Sequence, residues 1–185
     1  MAPGEYWDSV LDWHTLVFET IDMRSFSNLW FWIALAVMWS TTSHWVLGVP
    51  YDMITRARRQ GGEAQRDLED IVRVNINRLL YIAEEAGVWL MGFVCFLLTG
   101  LAIAGFWYRV ELCQAVFLLM FPMTFVGMLS IASARRIRIE AAEGEALQRR
   151  LLRHRLATQV IGMLSIFVTA LWGMYQNLAI GVWAN

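Results

Sequence analysis

The chain's soft metal ligands are few, three histidines and two cysteines. His14 and His154 fall outside the apolar stretches and His44 near the end of one, so a bis-histidine haem has no second buried ligand. Cys95 and Cys113 sit inside apolar runs. Two thiols cannot build a disulfide scaffold or supply four ligands to an iron–sulphur cluster, and they read as inert buried side chains. No Walker loop, HExxH, GxSxG or CxxC is present, so the usual phosphate, zinc, serine and redox chemistries lack their signatures. The expectation is a chain that is not an enzyme, with no catalytic residue, metal or cofactor.

Polar residues inside or beside apolar stretches are the remaining candidates for chemistry. An ionisable group within a membrane is a functional hypothesis by default. His44 lies in the most polar stretch of any apolar run, WSTTSHW at 39–45. Counting about 1.5 Å per residue puts it close to one interface. It reads either as an interfacial residue or as a gate or proton site. Glu84 and Glu85 are adjacent, so on a helix they point about 100° apart and cannot jointly clasp one cation. Arg78, on the same face as Glu85, offers it an ion pair. Gln114 stands at a depth comparable to Gln176 and Asn177, which predicts hydrogen bonds between two helices. Pro122 predicts a bend, with Thr124 and Gly127 easing repair of the freed carbonyls. Gly92, Gly100 and Gly105 permit close helix packing.

These residues need long apolar helices to position them. Hydrophobic types make up 58% of the 185 residues and charged types 17%, against roughly 25% charged in soluble domains. Four segments carry no Asp, Glu, Lys or Arg: 25–51, 87–108, 112–134 and 156–185. About 20 apolar residues cross a bilayer as a helix, whereas a barrel needs many short alternating segments, which are missing. The fold expected is all-α: a single membrane domain over 1–185, with transmembrane helices at 28–49, 87–108, 112–134 and 157–183.

All 15 basic residues are arginine. Six lie between the first two spans, among them Arg56, Arg58, Arg59 and Arg78, and seven between the last two. Only Arg24 and Arg109 fall on the other side. The positive-inside rule then puts both long connections, 51–86 and 135–155, in the cytoplasm and both termini outside. Residues 5–24 read as an amphipathic interfacial helix, because Asp8, Asp12, Thr15, Glu19 and Asp22 recur on one stripe. It presents acid, where interfacial helices usually present base. The segment 51–86 reads as a short basic helix, a break at Gly61-Gly62, and a longer helix running into the second span. The segment 135–155 reads as a helical hairpin around Gly144.

Clustered guanidinium groups attract anionic headgroups by about 1 kcal/mol each near a surface. Arg56, Arg58, Arg59, Arg135, Arg136, Arg138, Arg149, Arg150 and Arg153 are thus the expected lipid or protein contacts. A polar membrane site would draw on His44, Glu84, Glu85, Gln114 and Gln176. The net charge of −1 leaves no basic footprint for nucleic acid.

The runs IDMRSFSNLW at 21–30, HWVLGVP at 44–50 and RARR at 56–59 carry a resemblance to a small alphaproteobacterial membrane family described as a component of the SufBCD complex. It extends over residues 12–138, including 75–81 and 121–122. It implies a multi-pass bacterial inner-membrane protein associated with machinery that assembles iron–sulphur clusters, and it brings no catalytic motif. The function expected is an accessory or interaction subunit that engages other protein subunits or copies of itself. A small homo-oligomeric channel or transporter is the alternative. Residues 40–43 are consecutive and cover every helical face, whereas a pore lining would keep polar groups on one.

Overall fold

The computed structural model describes residue 26 and residues 29–183, with side chains as far as 178. The amphipathic helix expected over 5–24 lies outside the described residues. The rest is helical but for one small hairpin. Helix α1 (Leu29–His44) leads into strands β1 (Trp45–Val46) and β2 (Val49–Pro50), followed by α2 (Tyr51–Gln60) and α3 (Gly62–Glu85). Helix α4 (Gly87–Ala102) ends in a π-helical turn (Ile103–Trp107), and α5 (Glu111–Glu140) and α6 (Gly144–Trp183) complete the chain.

Three helical stretches, Gly87–Trp107, Glu111–Glu140 and Gly144–Leu178, are long and apolar enough to cross a membrane. The 16 described residues of α1 are about 24 Å long, short of the hydrocarbon thickness. The apolar run expected to be helical to residue 49 stops being so at His44. Leu47 and Gly48 take positive φ angles of 50° and 77°, the conformation of a two-residue hairpin turn. Val46 then pairs with Val49 and Trp45 with Pro50. The turn is built into the fold, because Asn75 on α3 donates from Nδ2 to the Gly48 carbonyl at 3.1 Å.

The break between α2 and α3 falls where the sequence places it. Gly61 has φ 62° and ψ −151°, a backbone state essentially confined to glycine. Helix α3 buries Ala64, Leu68, Val72, Ile76 and Leu80, one residue per turn. Ala86 (φ −115°, ψ 1°) kinks α3 away from α4. The segment 135–155 is not a unit of its own. It is the last turns of α5 and the first turns of α6, joined through Ala141, which is left-handed at φ 45°. The turn is tied to α3 where the Gly144 amide donates to Glu69 Oε1 at 2.8 Å.

Two cores result. The larger one forms a helical head. Val46 and Val49 of the hairpin, Ile54 and Ala57 of α2, and the α3 face pack on Ala134 and Ile137 of α5 and on Leu147 and Leu151 of α6. The smaller lies in the apolar bundle, where Leu35 and Trp39 of α1 meet Val126 of α5. Helix α4 has no fully buried side chain.

Without a hydrophobic force between helices in lipid, close packing decides association there. A Cβ placed on Gly162 of α6 would lie 2.8 Å from Trp39 Cε3, whereas one on Gly100 of α4 meets nothing within 4 Å. Gly162→Ala should therefore cost about 1–3 kcal/mol by forced repacking. Gly100→Ala should stabilise by about 0.5–1 kcal/mol through helix propensity. Denaturation midpoints of the two variants in one detergent check the contrast, and equal shifts would refute this account of the α1–α6 crossing.

Candidate functional site

Three places gather polar groups. The first is the buried node on Gln114, which is 2% exposed. Its Nε2 donates to the Gly105 carbonyl at 2.7 Å. Its Oε1 accepts from Trp172 Nε1 at 2.9 Å and from Gln176 Nε2 at 2.5 Å. The π turn makes this geometry. With Tyr108 N bonding five residues back to Ile103 O, the helix leaves α-register and its Gly105 carbonyl is met by a side chain. A Cβ on Gly105 would lie 2.9 Å from the Gln114 backbone nitrogen, so only glycine fits. The expected Gln114–Gln176 bond is present. Trp172 and Gly105 completed the node without any signal in residue spacing, since a π turn cannot be read from apolar periodicity.

The second place is the level where charge replaces apolar side chains. The Glu84 carboxylate receives Arg138 Nη2 at 2.7 Å, across from α5. Arg78, expected to pair with Glu85, makes no ion pair among the described residues and lines a cleft instead. Glu85 is exposed and enters no ion pair among the described residues either. His44 is exposed in the last turn of α1, its ring edge-on to Trp45. Arg155 ties this level together: its Nε donates to the Ser43 carbonyl at 3.3 Å and its guanidinium lies 3.6 Å over the Tyr51 ring.

Sequence reasoning set His154 aside because it falls outside the apolar stretches. The structure buries it to 5% exposure, just before the apolar run of α6 that begins at Leu156. Ser130 Oγ lies 2.8 Å from the Val126 carbonyl and 3.1 Å from His154 Nε2. A carbonyl only accepts, so the serine proton goes there and the imidazole donates from Nε2. Nδ1 is left as a buried acceptor with no partner. Ser130 and His154 line a cleft of about 410 Å³ with Thr42, Trp45, Asn75 and Arg78.

The third place is the surface of the head. Arg56 bonds Gln60, Arg149 pairs with Glu145, and Arg150 clasps Glu140 with two nitrogens. Arg58, Arg59, Arg135, Arg136 and Arg153 are exposed and, among the described residues, enter no ion pair. No cluster of His, Cys, Asp or Glu fit to hold a metal occurs among the described residues. Cys95 and Cys113 are free thiols; Cys95 is exposed on the surface of α4, where burial was expected.

Comparison with known protein families, curated proteins and solved structures returned no match.

Two outcomes follow. Gln114→Leu orphans a carbonyl and two donors, and should lower stability by about 1 kcal/mol; a chemical denaturation curve against the parent reads this. Burial lowers the pKa of His154 from the ordinary 6.5, so the unfolded state binds the proton that the folded ring refuses. Stability from this residue is present above pH 6.5 and is lost as pH falls through the folded pKa, by at most about 1.4 kcal/mol per unit. Melting temperature followed from pH 7.5 to 5 should drop in the parent and less in His154→Gln. Parallel curves would refute it.

Proposed function

We propose that the chain is a non-enzymatic interaction subunit of the bacterial inner membrane. In this reading four helices cross the bilayer, both termini lie outside, and the helical head faces the cytoplasm. The fourth crossing is α1, within the expected span 28–49. Support for the orientation comes from the arginine distribution, since 13 of 15 side chains fall on one side.

The observation that carries the subunit reading is the head. Its core is larger than that of the bundle, and it draws on the hairpin and four helices. A topology signal needs only charge. A packed core that holds Arg56, Arg58 and Arg59 on one exposed helix edge is a rigid surface, suited to an acidic protein partner. Inside the bundle, Gln114 is consumed by helix–helix bonds and offers nothing to a pore, which weighs against the channel alternative. The resemblance of residues 12–138 extends the proposal to association with iron–sulphur cluster assembly machinery.

Affinity purification of the gently solubilised full chain, followed by mass determination, tests this. A stoichiometric second protein should be recovered, and it should be lost when Arg56, Arg58 and Arg59 are all changed to Glu. Recovery of the chain alone, or only with copies of itself, would overturn the proposal.

A further inference from the structure

The cleft at the foot of the bundle changes character along its length. One end is walled by Thr42, Val126 and Ile82, residues of the apolar stretches of α1 and α5 and the last turns of α3. The other carries Arg78 and Asn75, one and two turns back along α3 from Ile82. Trp45, half exposed, stands at the rim, where indole rings favour the headgroup layer. The exposed guanidinium of Arg78 has no carboxylate partner among the described residues, although Glu84 and Glu85 lie within two turns. The floor is Ser130 and His154, whose Nδ1 is buried without a partner. At about 410 Å³ the cleft is within the range of small-molecule sites.

An occupant must therefore be apolar at one end and anionic at the other, and must bridge hydrocarbon and water. We propose that this cleft binds a single anionic phospholipid, with its phosphate on Arg78 and the start of an acyl chain against Val126 and Ile82. A guanidinium suits a phosphate because its fork donates two parallel hydrogen bonds to two oxygens. The inference rests on the membrane placement proposed above but not on any protein partner, so either can fail alone.

Native mass spectrometry of the full chain in detergent, titrated with phosphatidylglycerol, phosphatidylcholine or inorganic phosphate, tests it. One phosphatidylglycerol should bind at least tenfold more tightly than phosphatidylcholine. Arg78→Gln should lose about tenfold in that affinity, while Arg78→Lys recovers part of it. Arg73→Gln, at a residue that pairs with Asp70 and lies outside the cleft, should stay within twofold of the parent. Ile82→Trp, which fills the apolar end from a partly exposed position, should also weaken binding and gives a second reading should Arg78→Gln fail to fold. The proposal is overturned if Arg78→Gln binds as the parent does, or if Arg73→Gln loses as much. Displacement of the lipid by millimolar inorganic phosphate would likewise overturn it, by making free phosphate the ligand.

Discussion

Charge is costly to carry into hydrocarbon, and in this chain the charged side chains stop at one level on every helix that reaches it. Helix α3 carries its last charge at Glu85, α5 regains charge at Arg135, and α6 loses it after Arg155. The fold brings these three points together. Arg138 meets Glu84, and Arg155 reaches the carbonyl of Ser43 at the end of α1. Each of these contacts is partly exposed and worth little as an isolated pair. Their importance is positional: they mark the plane at which apolar side chains give way to polar ones, and they set helix register on either side of it.

Above that plane the bundle is held by contact distance and by a few satisfied polar groups. Gly162 and Gly173 let α6 approach Trp39, Trp32 and Phe26 closely. Gln114 closes α5 onto both the π turn and α6. Water cannot relieve an unpaired amide there, so the partners of Gln114 have to be supplied by the protein. Below the plane the logic reverts to that of a soluble helical domain, with an apolar stripe on α3 packed against three other helices and a charged exterior. The same two rods, α5 and α6, serve both regimes.

What the sequence disclosed follows this division. Long uncharged runs, the break at Gly61 and the Gln114–Gln176 pairing were legible because each depends on residue type at a fixed helical spacing. The hairpin at 45–50 was hidden because its residues are apolar and continue the run of α1; only the Gly48-Pro50 pair hinted at an end, and that pair does not distinguish a stop from a turn. The burial of His154 was not legible because it lies outside the apolar runs, between Arg153 and Arg155 in sequence. Adjacent helix positions face different ways, Arg153 exposed and His154 buried, and Ser130 lies 24 residues away. Arg78 was assigned to a carboxylate on its own helix, while the carboxylate beside that one was already taken by α5. Pairing between helices depends on their relative rotation, which the apolar pattern of one helix does not specify.

The continuity of α6 bears on how the head relates to the membrane. Its 40 residues extend about 60 Å, twice the hydrocarbon thickness of roughly 30 Å. About half of one unbroken helix therefore belongs to the head, where Leu147 and Leu151 are buried. Helix α5 does the same over a shorter length, burying Ala134 and Ile137 in the head and Val126 in the bundle. A head attached through a flexible linker would be free to tumble. One built on two rods that run unbroken from it into the apolar bundle is fixed in orientation relative to that bundle, with the cleft of Arg78 and His154 at the seam. Any force applied to the exposed arginines is then resisted by the packing at Trp39 and Gly162 rather than absorbed by a loop.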